Sequence, residues 1–73
     1  MTDRYEDLAH AIILQAVKDY RRALRTLKKK PDDSVAIEAR ASIEQFFYSD
    51  YFVVLSNLDP EYLIQQLVKE EFV

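Results

Sequence analysis

No glycine occurs anywhere in the 73 residues of this chain, and that absence limits what it can fold into more than any residue present. The tight two-residue turns that join paired strands need positive φ, which glycine supplies most cheaply. The loops that wrap phosphates with backbone amides need it for the same reason. Hairpin-built sheets and phosphate-cradling loops are therefore nearly excluded. What the chain does contain is alanine, leucine, glutamate, lysine, arginine and glutamine in quantity, with proline only at Pro31 and Pro60. Those are the good helix formers, and the composition predicts helix throughout.

Length sets the next limit. A chain this short makes one domain and buries only about 60% of the surface that its unfolded form exposes. Small scaffolds usually need a staple, and there is no cysteine and a single histidine, His10. Disulfides, thiolate sites and histidine-rich metal sites drop out, which leaves partner subunits as the available staple. No metal and no cofactor are expected. No segment is long and apolar enough to cross a bilayer and the N-terminus lacks a signal-peptide pattern, so a cytoplasmic protein is the expectation.

The helices can be placed from their punctuation. The first is expected over about 4–29, opened by Asp3 as cap with Glu6 as its reciprocal partner. Its apolar residues Tyr5, Leu8, Ala9, Ile12, Ala16, Tyr20, Ala23, Leu24 and Leu27 follow one helical face. At 1.5 Å per residue it is roughly 40 Å long. Ile13 and Val17 widen the stripe to about half the circumference, and Leu14 falls beyond it among charged residues. So broad an apolar arc asks for neighbours on two sides, more than a chain of this length is expected to supply by itself.

Lys30-Pro31-Asp32-Asp33-Ser34 ends that helix, because proline disfavours helix in the residue before it and Asp33 or Ser34 can cap the next. A second helix is expected over 34–48, with Val35, Ala36, Ala39, Ile43, Phe46 and Phe47 on one face and Ile37, Ala41 and Tyr48 beside it. Ser49 reads as a cap inside the run Phe46–Phe52, opening a short helix over 50–56 that stops at Asn57. Asp59-Pro60-Glu61 opens the last, over 60–71, with an Asp cap, proline at the first helical position and an acid in the first turn. The expected fold is all-α: a small bundle with one long N-terminal helix packed on three shorter ones, in a single domain spanning 1–73, and completed by oligomerisation. The broad stripe nominates Ile13, Leu14, Val17, Ile37 and Ala41 for the oligomer interface.

Charge is distributed unevenly. The net charge is −3, yet residues 18–30 hold Lys18, Arg21, Arg22, Arg25, Lys28, Lys29 and Lys30 against the single acid Asp19. The basic run reads in three ways: a solvated helix end favoured by the dipole, a contact with acids of a sister or partner protein, or an anion site. General nucleic-acid binding is not expected of a chain that is acidic overall.

Catalytic signals are sparse. The carboxylate pairs Glu38/Glu44 and Glu70/Glu71 sit on polar helix faces, where they read as solvated surface. His10 lies at the edge of an apolar stripe with no nucleophile motif near it. The chain is not expected to be an enzyme. The aromatic run reads mainly as core, with Phe46, Phe47 and Phe52 against Ile12, Ala16 and Leu55. Tyr48, Ser49 and Tyr51 could instead wall a ligand pocket, closed by Tyr20, Arg21, Arg22 and Arg25 from a related subunit, the arginines meeting phosphates.

Three segments are familiar together: Leu14–Leu24 (LQAVKDYRRAL), Phe46–Phe52 (FFYSDYF) and Asp59–Ile64 (DPEYLI). In them the chain resembles a family of small uncharacterised proteins of prophages and mobile elements in Firmicutes bacteria, departing with Tyr51 where relatives commonly carry Trp and Pro60 where they commonly carry Gly. The resemblance implies a phage context, in which short accessory proteins often neutralise host machinery. The expectation that follows is a homo-oligomeric binding protein used in counter-defence, sequestering a cyclic or other small nucleotide immune signal without cleaving it. The alternative is a protein–protein inhibitor or adaptor that binds a host nuclease, defence or replication protein through the acidic face of helices two to four. A third reading, a DNA-associated accessory factor, is disfavoured by the acidity.

Overall fold

The structure, a computed structural model, describes residues 4–72 and the side chains from Leu8 to Phe72. Among the described residues the chain forms four helices: α1 over Arg4–Lys29, α2 over Ser34–Phe47, α3 over Asp50–Ser56 and α4 over Pro60–Phe72. The molecule is 44 Å long and 20 Å across in both other directions, so α1 sets its length. The Asp3–Glu6 capping box lies outside the described residues.

Local chemistry accounts for each break. Lys30–Asp33 close a turn, Asp33 N–H donating to the Lys30 carbonyl at 3.1 Å. Of the two candidate caps Asp33 takes the role, its carboxylate accepting from Ala36 N–H at 3.0 Å. Tyr48 caps the end of α2, one residue before the expected stop, and Ser49 is extended (ψ 151°). The Ser49 hydroxyl then works twice: it donates to the Phe46 carbonyl at 2.6 Å and accepts from Phe52 N–H at 3.2 Å. It ends one helix and starts the next. Ser49→Ala is expected to cost about 1–2 kcal/mol, read as a lower urea midpoint with an unchanged m-value, since both bonds go with one atom.

Asn57 closes α3 in the left-handed region, φ 56° and ψ 27°, with its N–H on the Val53 carbonyl at 2.8 Å. It is the positive-φ residue among those described, the position where a glycine-free chain leans on asparagine. Asp59 opens α4 by accepting from Glu61 N–H at 3.0 Å, ahead of Pro60 at the first helical position.

The core is a cluster of Tyr20, Leu24, Phe47, Phe52 and Leu67, with Ile13, Ala16, Val17, Ile43, Phe46, Leu63, Ile64 and Val68 packed around it. Phe47 sits at its centre, its ring 5.5 Å from Tyr20 edge-on and 5.1 Å from Phe52. Two expectations are corrected here. Within the chain α2, α3 and α4 all pack on α1 and cover part of its broad stripe. Ile13 and Val17, nominated for an oligomer interface, consequently border the core of their own chain. Ile12, placed in the core by its spacing, is instead 39% exposed.

Candidate functional site

The residues nominated for a ligand pocket are sorted by the fold into different jobs. Tyr20 is fully enclosed and its hydroxyl donates to Glu44 Oε2 at 2.7 Å, while Arg40 Nε meets the same oxygen at 3.4 Å. Burial, reinforced by the Glu44 carboxylate, pushes its pKa from 10.0 up to about 12. Tyr20 is a core residue and cannot wall a pocket in this fold. Its place on the apolar stripe of α1 was the stronger signal.

Arg21 and Arg25 turn towards α4. Arg21 Nη2 donates to Glu70 Oε2 at 3.1 Å and Arg25 Nε to Glu71 Oε1 at 3.3 Å. The basic run thus finds its acids within its own chain, 49 and 46 residues away. A phosphate would have to displace both carboxylates. Three of the four acids read from sequence as solvated surface are likewise engaged: Glu70 and Glu71 hold the end of α4 against α1, and Glu44 closes over Tyr20, while Glu38 is exposed as expected. Pairs this exposed contribute about 0–1 kcal/mol each, so they orient α4 more than they stabilise it.

Ser49 spends its hydroxyl on the caps of α2 and α3. Tyr48 and Tyr51 are 58% and 54% exposed, with the Tyr51 ring 6.3 Å from Phe46. Phe46 in turn lies by Ile12 and Gln15, about 15 Å along α1 from Arg22. Within one chain, therefore, the structure brings the tyrosines and the arginines to different ends. His10 is exposed, as are Leu14, Ile37 and Ala41. Among the described residues no three His, Cys, Asp or Glu side chains gather where a metal ion could be held, and no helix is long and apolar enough to cross a membrane.

Nothing known decides between the readings. No protein-family model, no curated protein and no solved structure matches the chain. Function has to be read from the surfaces alone.

Two surfaces stand out: the first was not singled out from sequence, while the second takes in Tyr48 and Tyr51, nominated as pocket walls, and part of the acidic face of helices two to four. The first is an open groove between α1 and α2. One part of about 550 Å³ is lined by Arg22, Ala23, Thr26, Val35, Ala36 and Ala39, and an adjoining part of about 340 Å³ by Ile12, Gln15, Ala16 and Phe46. Asp19, Ser42 and Ile43 belong to both parts, so the groove is continuous. Its signal was present in the second helix, whose expected core face carries Val35 and Ala39. Small side chains there hold α1 and α2 close but leave their shared edge unfilled.

The second surface follows the turn from α2 through α3 into α4. Tyr48, Tyr51, Val54 and Tyr62 are each more than half exposed, Val54 at 80%. Tyr51 and Val54 lie three residues apart and share a face of α3. From residue 41 to residue 68 the sequence contains no lysine or arginine, while Asp50, Asp59 and Glu61 fall among the exposed apolar side chains. A separate cleft of about 420 Å³ by Leu27, Lys28, Ile37, Arg40 and Phe72 lies at the far end.

Proposed function

We propose that this chain is a non-catalytic binding protein that acts by docking on another protein, as an inhibitor or adaptor, through its α3–α4 surface. The observation that carries this reading is the group of exposed Tyr48, Tyr51, Val54 and Tyr62 on a stretch devoid of basic residues. Tyrosines with one apolar flank and one polar tip are favoured contact residues, and anchors of this kind dominate interface energetics. The acids around them select a partner whose surface is apolar at its centre and basic at its rim.

The resemblance to prophage and mobile-element proteins supplies the context: a counter-defence role in the bacterial cytoplasm, with a host nuclease, defence or replication protein as the target. Sequestration of a nucleotide is the weaker reading, because Tyr20 is enclosed and Arg21 and Arg25 already hold Glu70 and Glu71.

Val54→Ser combined with Tyr62→Ser tests the assignment, since both side chains are more than 60% exposed and carry little of the fold. Tagged wild-type protein is expected to retain one partner at fixed stoichiometry from host lysate. The double variant should hold that partner at least about tenfold more weakly, with an unchanged thermal transition. Native mass spectrometry with cyclic and linear nucleotides is expected to leave the mass unchanged. A nucleotide bound at fixed stoichiometry, or a partner indifferent to the double substitution, would overturn the proposal.

A further inference from the structure

The α1–α2 groove lies on the side of α1 that turns away from Arg21 and Arg25, and so away from α4. Its floor is made of small residues, Ala16, Ala23, Ala36, Ala39 and Ser42, which let another backbone come close.

The groove also has a pattern that names its occupant. Its charges on α1 are Asp19 and Arg22, of opposite sign and three residues apart at mid-length. Val35, 75% exposed, stands at one end beside Asp33, and Leu8, 63% exposed, lies one turn beyond Ile12 past the other end. A surface with opposite charges about its centre complements itself there under a two-fold rotation. Turning one α1 antiparallel to another, with the axis between residues 19 and 22, sets Asp19 of each against Arg22 of the other. It also keeps the two basic ends, Lys28–Lys30, apart, whereas a parallel pairing would stack them.

We infer that a second copy of this chain fills the α1–α2 groove, antiparallel and related by a two-fold axis, with Asp19 of each copy paired to Arg22 of the other. The result is a four-helix layer made from two α1–α2 hairpins, with α3 and α4 of each copy on the outside and the α3–α4 surface left free. Self-association through this groove does not depend on what the α3–α4 surface binds. It replaces the interface expected from sequence, of which Ile13 and Val17 are taken up by the core.

Sedimentation equilibrium on wild type and three charge variants tests the pairing. Wild type is expected at twice the chain mass of 8.6 kDa. Asp19→Arg alone and Arg22→Asp alone each set like charges against each other and should weaken the dimer at least about tenfold. The Asp19→Arg/Arg22→Asp double variant restores opposite charges and should recover wild-type affinity to within about threefold. Ser42→Arg, at an exposed position in the groove, should give a monomer of unchanged helicity, which separates blocked docking from failed folding. A wild-type protein that stays monomeric at the highest attainable concentration overturns the inference. So does a double variant as weak as its two single variants combined, since paired charges cannot behave that way.

Discussion

Replacing Phe47 by alanine is expected to cost the chain about 3–5 kcal/mol of stability at 25 °C. Phe47 is fully enclosed and touches every aromatic ring of the core: Tyr20 at 5.5 Å, Phe52 at 5.1 Å and Phe46 at 6.1 Å between centroids. Truncating such a side chain costs about 3–5 kcal/mol, the lost transfer free energy plus the cavity left behind. A domain of 73 residues has about 4–11 kcal/mol in total. The loss therefore takes from about a quarter to all of the stability and leaves a cavity among Tyr20, Leu24, Phe52 and Leu67. Far-UV circular dichroism through a urea titration checks this, with Phe47→Leu as the milder companion that should keep a cooperative transition at a lower midpoint. Val54→Ala, at an 80% exposed position, should change the stability by no more than about 0.5 kcal/mol. A Phe47→Ala protein as stable as wild type would mean that the aromatic cluster is not the core.

The contrast between Phe47 and Val54 also marks what sequence can and cannot convey. Phe47 reads as core from sequence and is enclosed, while Val54, seven residues on and also apolar, is 80% exposed. Helix boundaries were legible because their causes are local. Pro31 forbids helix behind it, Asp33 and Ser49 each reach a backbone amide three residues on, and Asp59-Pro60 presets the first turn of α4. These are properties of four or five consecutive residues, and all were placed to within a residue.

The candidate site failed on the opposite kind of cause. Arg21 and Arg25 look free along the chain, because the acids that hold them come 49 and 46 residues later and no periodicity marks which face of α4 will meet them. Tyr20 has the same history, its hydroxyl satisfied by Glu44 from another helix. The breadth of the α1 stripe was read correctly as a need for two neighbours, but not that α2 and α4 of the same chain would be those neighbours. That need was met around Ile13, Ala16 and Val17 and left unmet at Ile12, where the groove runs. Helical periodicity gives the width of an apolar face. Which part of that face is covered depends on the lengths of the other helices, and α3, at seven residues, is too short to extend over the α1–α2 edge.

Between pH 10 and pH 12 the folded chain is expected to lose roughly 2 to 3 kcal/mol through Tyr20 alone. In the unfolded chain this hydroxyl ionises near its ordinary value of 10.0, whereas in the fold burial and the Glu44 carboxylate hold it protonated to about 12. Over that interval the unfolded state has given up a proton that the folded state retains, so rising pH favours unfolding. The stabilisation is fully present below pH 10 and gone above about 12. Tyr20→Phe isolates the effect, because every other group ionises alike in both proteins. At neutral pH the variant should be about 1–3 kcal/mol less stable, having lost a buried hydrogen bond to a carboxylate that keeps Arg40 as a partner. Its stability should then fall less steeply on the way to pH 12, so the two curves converge as wild type loses what the variant never had. Guanidinium titrations at half-unit steps would show that convergence. Curves that stay parallel would mean that the Tyr20 hydroxyl is not sealed against Glu44, and the α1–α2 packing that shapes the groove would have to be redrawn.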